Sequence, residues 1–557
     1  MITLKQDIIY NKVKAAQKQI FHCSLFTLTL GMMLASCSDW DDHYEASASE
    51  GGNLTLWQQM QANPQLSDFC QVLENTKVFR MHKKTAVSYS QLLDGGQMFT
   101  VVAPVNGTFN RDSLLQLTAT NQGDSLVEKF FIFNHLSRST TSLKADAKPM
   151  LMLNSKFMPT DVSSIGGVPV TQANQHAKNG VLHVASTPLP YTYNLYEALS
   201  DMPDMSGIGY YLRQYEWDWF NANASVSSGI VDGVPVYVDS VVVEYNRMLD
   251  YIGLINAEDS TYWVVAPTAA GWQKAWNETS KYFVYPEDMA KRDSLQQFFT
   301  TYWLLEDAVF NMTDQKTTQD SIVSVPYPSF RRTWVSGMPI YHVFHKPFEP
   351  GGILYGAEKV TCSNGVLYKT NEWPFTPEQT FFKELWTEGE HTYLVEEEKS
   401  CSYNERREVA DSISNNAYLR IIPEKSTSNW ELTFRLLNTL SGHYDVCAVL
   451  LPKHVSDQVN PDLRPCKFKA TINYVDEQGK EQSFNCNNTQ FRSDPLKVDT
   501  VVLAENFFFP ACNFNENNKK ITLKLQCSIL ARETSTFARE MYLDCIYLRP
   551  RRVASGN

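Results

Sequence analysis

The sequence predicts two α+β modules in tandem, closed by an all-β sandwich, and three observations lead there. The apolar run Phe99-Thr100-Val101-Val102-Ala103-Pro104, stopped by Ala-Pro, recurs as Tyr262-Trp263-Val264-Val265-Ala266-Pro267. Each copy is preceded by a helical stripe and followed by an Asn-Gly-Val strand, at Asn179-Gly180-Val181 and Asn364-Gly365-Val366. After Pro374 the texture changes to short strands of alternating hydrophobicity, with turns about every ten residues. A chain of 557 residues also exceeds what one hydrophobic core organises.

From the N-terminus, Lys5, Lys12, Lys14 and Lys18 precede an apolar segment from Ile20 to Leu34, which reads as a secretion signal. It falls short of the ~20 apolar residues a membrane-spanning helix needs, and Ser24, Thr27 and Thr29 interrupt it. The string Leu34-Ala35-Ser36-Cys37 resembles a bacterial lipobox. That resemblance implies a signal peptide over 1–36, with Cys37 lipidated and holding the mature chain to the outer membrane. Residues 37–52 are acidic and small, as a flexible tether requires. The acidic cluster directly after the Cys resembles the surface-export signal of one group of gram-negative lipoproteins, which implies that the chain faces the cell exterior.

Removal of residues 1–36, with four lysines and one aspartate, moves the net charge from −12 to −15. Nucleic acid and anionic lipid surfaces are poor partners for such a chain, because both select clustered Lys and Arg. Of eleven cysteines, Cys23 and Cys37 belong to the leader and anchor, which leaves nine, without a CxxC pair to suggest zinc or redox chemistry. Cys447, Cys527 and Cys545 sit inside apolar strand patterns and read as small buried hydrophobes.

The first module, 53–190, opens on the stripe Leu66, Phe69, Cys70 and Leu73. Its strand and turn, Phe99 to Phe109, resemble the first signature of fasciclin-like domains, with Thr100, Pro104 and Asn106 at the family's positions. Phe131-Ile132-Phe133-Asn134-His135-Leu136 falls where that family's second, His-centred signature is expected, and Asn179-Gly180-Val181-Leu182-His183-Val184 is similar to its closing strand. The chemistry agrees: β-branched residues enter a buried strand, Pro ends it by removing a donor, and Asn closes the turn with its side chain. The resemblance implies an α+β wedge of sheet and packed helices, with His135 and His183 in its internal hydrogen-bond set.

A second, divergent copy covers 191–372, with Ile208, Tyr211, Leu212 and Tyr215 as its helical stripe. Ala269 replaces the turn Asn, Tyr368 replaces the closing His, and two insertions enlarge the copy, a hairpin near 231–238 and a polar loop near 311–325.

The third module, 376–552, is the sandwich. Trp430, Leu432, Phe434 and Leu436 alternate, as do Tyr444, Val446, Ala448 and Leu450, then Ile521, Leu523, Leu525 and Cys527, and last Met541, Leu543, Cys545 and Tyr547. One apolar face per strand predicts an antiparallel sandwich with those residues inside. Phrases such as Phe381 to Glu390 and Tyr542 to Leu548 are similar to galactose-binding-like jelly rolls.

No GxSxG, HExxH, phosphate loop or dinucleotide fingerprint occurs, so the sequence predicts binding without catalysis and without a cofactor. His342 and His345 are three apart, which places them on opposite faces of a strand and argues against a metal. Phe507, Phe508 and Phe509 cannot all hide in a strand of period two, and Trp373 lies at a module junction; these are the candidate sugar platforms or partner anchors. The modules together imply a surface glycan-binding or adhesion protein serving a SusC/SusD-type nutrient importer. The alternative is a scaffold that docks on such a transporter without binding sugar.

Overall fold

The computed structural model describes residues 52–80, 83–146, 148–231, 234–312, 320–325, 341–408, 412–455, 459–486, 490–515 and 521–552. The signal segment, Cys37 and the tether through residue 51 lie outside the described residues, as does part of the polar loop near 311–325. Among the described residues no helix is long and apolar enough to cross a membrane. The chain divides into two compact units, Met1–Tyr191 and Thr192–Asn557.

In the first unit, α1 (Leu56–Gln61) and α2 (Ser67–Asn75) precede a five-stranded sheet. Its strands are β1 (Phe99–Pro104), β2 (Leu136–Ser137), β3 (Ser164–Ile165), β4 (Val168–Ala177) and β5 (Gly180–Ala185), in the order β2-β1-β5-β4-β3. β1 and β5 pair in parallel from Phe99 with Gly180 to Pro104 with Ala185, and both are buried along their whole length. Burial on both faces is why β1 reads as an unbroken apolar run. Leu66, Phe69, Cys70 and Leu73 meet it in one core.

The second unit opens with α3 (Leu195–Asp201) and α4 (Ser206–Arg213), then a ribbon of β6 (Glu216–Val231) and β7 (Val234–Asn246). β8 (Tyr262–Pro267), α5 (Ala269–Ser280), α6 (Arg292–Leu305), β9 (Val309–Asn311), β10 (Glu358–Cys362) and β11 (Gly365–Thr370) follow. The sheet order β9-β8-β11-β10, with β8 and β11 parallel, repeats that of the first unit.

The Asn-Gly pairs explain why. Asn179 Oδ1 accepts the first N–H of α1, from Leu56 at 2.8 Å, while its Nδ2 donates to Leu93 O and Gly95 O, both at 2.8 Å. Asn364 does the same for α3: it accepts from Leu195 N at 2.9 Å and donates to Ile255 O at 2.8 Å and Ala257 O at 2.9 Å. One side chain thus fastens a helix start to the closing strand in each copy. The glycine that follows lets the parallel strands meet. A Cβ on Gly180 would lie 1.8 Å from Phe99 O, and one on Gly365 would lie 1.8 Å from Tyr262 O.

The sandwich comprises β12 (Leu385–Glu388), β13 (Val395–Lys399), β14 (Cys401–Arg407), β15 (Ala417–Pro423), β16 (Glu431–Arg435) and β17 (Gly442–Leu450). It continues with β18 (Lys467–Val475), β19 (Glu481–Asn485), β20 (Phe491–Arg492), β21 (Asp499–Phe509), β22 (Thr522–Cys527) and β23 (Met541–Pro550). One sheet runs β14-β15-β23-β17-β21 with β12 beside β23, and the other β13-β16-β22-β18-β19 with β20 beside β18. The β8 to β11 copy and the sandwich share a core: Phe283, Phe299 and Trp303 surround Phe514 at centroid distances of 5.7, 4.9 and 5.9 Å. Hydrogen bonds cross the same seam, from Cys512 N to Val284 O at 2.7 Å and from Ser441 N to Tyr282 O at 2.9 Å.

The last strand corrects one expectation. Met541 and Leu543 point inward as the alternation predicts, but Cys545 and Tyr547 do not. Leu543 pairs with Leu450 and Cys545 with Val449, so Asp544 is the extra residue of a β-bulge. Past it, Ile546 and Leu548 take the inner positions and Cys545 and Tyr547 move to the outer face.

Candidate functional site on the outer face of the sandwich

The first sheet carries a cleft of about 510 Å³ on its outer face, built from cross-strand rows. Arg406 on the edge strand β14 stands opposite Tyr418 on β15, and Asn404 stands opposite Arg420, which stands opposite Tyr542 on β23. Tyr418 and Tyr542 form the floor, nearly buried, with ring centroids 5.3 Å apart. The Arg420 guanidinium lies 6.0 Å from the Tyr542 ring centre and bonds Glu540. On the opposite wall Asp462 receives Lys453 Nζ at 3.1 Å and Arg464 Nη2 at 2.8 Å. Arg464, then Lys453, hold the Asp462 carboxyl well below the usual carboxylate range. Arg407 is paired with Glu405 at 2.8 Å. Arg406 is exposed and makes no ion pair or side-chain hydrogen bond among the described residues.

The bulge adds a second element. Trp386 on β12 lies cross-strand from Tyr547, and the rings stack 4.8 Å apart at 19°. Tyr547 is 9 % exposed and Trp386 46 %, so one aromatic backs the other and leaves a ring open to solvent. Tyr542 and Tyr547 are five residues apart on β23, roughly 15 Å along the strand, on one face. Between them sits Asp544, whose carboxyl is raised to about 7: burial dominates, Glu388 and Glu390 add to it, and the Ser414 N–H bond at 3.0 Å opposes it. Charged side chains held in pairs over an aromatic floor, in line with an open Trp ring, can hold a polar ring-containing ligand in a fixed orientation.

The residues singled out from the sequence lie elsewhere. Phe509 is buried, Phe507 packs between Tyr474 and Phe484, and Phe508, 47 % exposed, tilts against His443. Trp373 is wedged between Trp272 and Phe375 at 6.3 and 5.1 Å and offers no free platform. His342 turns Nδ1 to the buried Asp307 at 2.6 Å, and no group of three metal-binding side chains occurs among the described residues.

The set Thr100, Pro104, Asn106, His135 and His183 works inside the first unit. Thr100 Oγ1 accepts from Thr141 N at 2.8 Å, and Pro104 ends β1 opposite Ala185. Asn106 Oδ1 accepts from Asp68 N at 2.9 Å and its Nδ2 donates to Pro64 O at 2.8 Å, which ties the turn to the head of α2. His135 accepts from Leu189 N through Nε2 at 3.0 Å, and His183 accepts from Asn174 N through Nδ1 at 3.2 Å. In the second copy, Ala269 N bonds Asp204 O at 2.8 Å, as Asn106 N bonds Gln65 O at 2.8 Å in the first, and Tyr368 packs on Trp263.

Sequence reading passed over Arg406, Arg420 and Trp386. Trp386 had a signal, since it alternates with Leu385 and Thr387 on a strand whose inner positions are the latter two. The two arginines had none: Arg420 meets Glu540, 120 residues on, and Tyr542 beyond it, and Arg406 takes its place only through the pairing of β14 with β15.

No family model and no curated protein match the sequence. Among solved structures the chain is similar to a FAS1 domain pair from the insect cell adhesion molecule fasciclin I, at 15 % identity over 51 % of this chain and 90 % of that one, with a TM-score of 0.18. It is similar to the CBM22-1 xylan-binding domain of Paenibacillus barcinonensis Xyn10C, at 13 % identity over 30 % of this chain and 87 % of that one, with a TM-score of 0.19. It is also similar to the CBM22-1-GH10 modules of a Clostridium thermocellum xylanase 10B, at 13 % identity and a TM-score of 0.18. That match covers 28 % of this chain, which spans about a quarter (26 %) of the xylanase chain.

Proposed function

We propose that the chain is a surface-anchored glycan-binding protein, in which two fasciclin-like repeats carry a jelly-roll sandwich that binds an oligosaccharide without turning it over. The observation that carries this reading is the alignment of the paired-charge cleft with the Trp386 platform along β23. Sugars are recognised by this pairing of a stacking ring with fixed polar groups, since a pyranose has apolar faces and a hydroxylated rim. The lipobox supports anchoring through Cys37, and a tethered binder beside a SusC/SusD-type importer would gain from local concentration.

The test is isothermal titration of the chain with a panel of soluble polysaccharides. Binding is expected, and Trp386→Ala should weaken it at least about tenfold; because Trp386 also covers Tyr547, Trp386→Phe, which keeps a ring on Tyr547, should hold the melting temperature and retain part of the affinity. Failure to bind any polysaccharide, with co-purification of membrane proteins, would replace this reading by the scaffold. One feature favours that alternative: β6 and β7 form a two-stranded sheet to which no third described strand is added, and Trp217 at its base is exposed. The anchor is checked separately, since Cys37→Ala should release the protein from membranes, and full retention would rule the lipid out.

A further inference from the structure

The cleft also points to the class of sugar, on the premise that the chain binds glycan there. Its cations are committed to partners with one exception. Arg420 is bonded to Glu540, Lys453 and Arg464 share Asp462, and Arg407 is bonded to Glu405. Arg406 stands at the mouth on the edge strand, opposite the Tyr418 floor, and is left over.

The lining holds four cations, Arg406, Arg407, Arg420 and Lys453, against three carboxylates, Glu408, Asp462 and Glu540. This is a local positive excess in a chain of net charge −12. A neutral hydroxyl accepts a hydrogen bond from a guanidinium but does not match its charge. A planar carboxylate does, and it matches the arginine fork with two parallel charge-assisted hydrogen bonds. Sulfate and phosphate can also present two oxygens to the fork, so a sulfated polymer is the competing outcome of the test.

We infer that the ligand is a uronate-bearing glycan whose carboxylate is held by Arg406 and whose chain runs along β23 to stack on Trp386. Arg420 and Lys453, fixed by their own carboxylates, serve its hydroxyls.

The experiment titrates the whole chain with uronate polysaccharides (polygalacturonate, alginate, hyaluronan and glucuronoxylan), each paired with its carboxyl-reduced form, and with dextran sulfate. At least one uronate polymer is expected to bind about tenfold or more tighter than its reduced form, with affinity falling as NaCl rises from about 50 to about 200 mM. Arg406→Gln should remove most of that difference, and Arg406→Lys should restore part of it by returning the charge without the fork. Arg406 is exposed and unpaired, so neither variant should shift the melting temperature. If reduced forms bind as tightly as their acids, the uronate assignment falls while glycan binding stands. Tighter binding of dextran sulfate overturns the carboxylate in favour of a sulfate. If no polymer of either kind binds, the glycan reading itself fails.

Discussion

Gly180→Ala is expected to cost the first unit about 3–5 kcal/mol, from steric overlap and a disfavoured backbone together. Gly180 has φ +147°, and an added Cβ would overlap Phe99 O at 1.8 Å and press on Leu56 Cδ1 at 2.9 Å. Relief would require β5 to move from β1, which would break a parallel ladder six residues long at the centre of the core. Gly365→Ala should be equally costly in the second copy, at φ +150° and 1.8 Å from Tyr262 O. Gly107→Ala is the control, since φ is +72° there but no atom lies within 4 Å of the new Cβ, which leaves about 1–2 kcal/mol of backbone strain. Calorimetry of the full chain should show Gly180→Ala and Gly365→Ala each lowering a transition that Gly107→Ala moves little. Equal effects at all three glycines would show that the close approach of the parallel strands is not what the Asn-Gly pair protects.

Acidification should weaken the first unit by about 2 kcal/mol at pH 5 and about 3 kcal/mol at pH 4, through His135. Its Nδ1–H donates to Phe131 O at 2.7 Å and its Nε2 accepts from Leu189 N, so the neutral ring meets both bonds with nothing to spare. Protonation at Nε2 would break the second bond and bury a cation. Burial accordingly holds the ring down at about 4, against 6.5 for a free His, with the Phe131 carbonyl offsetting part of the shift. The unfolded chain therefore binds the proton first as pH falls. The stabilisation is complete above pH 6.5 and is lost progressively down to about 4. His183, also lowered by burial and bonded through Nε2–H to Thr141 O at 3.0 Å, adds to the loss in the same direction. Hydrogen exchange of peptides covering 128–137 and 180–189, at pH 7 and pH 5, measures the effect. His135→Gln, which keeps a donor and an acceptor but cannot take the proton, should flatten the slope. Protection equal at both pH values would remove His135 from the linkage.

The repeat and its chemistry were legible in the sequence because they are local. Ala-Pro stops a strand wherever it occurs, Asn-Gly supplies a capping amide and a residue without Cβ, and the two copies place these at matching points. The alternating strands after Pro374 were legible for the same reason, since a one-sided strand carries its face in its own sequence. The packing of Trp373 was not legible because sequence gives position and not company: Trp272 and Phe375 arrive from either side of it only in the fold.

The sequence by itself determined two α+β copies and a sandwich, because strand stops, Asn-Gly pairs and alternation are local. Tertiary structure alone decided which side chains share the outer face of the sandwich. Asp544 becomes an extra residue only because β23 must pair with β17 and, along its length, with both β15 and β12. That one slip turns Tyr547 outward to meet Trp386, and the same sheet order brings Arg406, Arg420 and Tyr542 into one cleft. Register between distant strands is set by the pairing of whole sheets, and no window of sequence contains it.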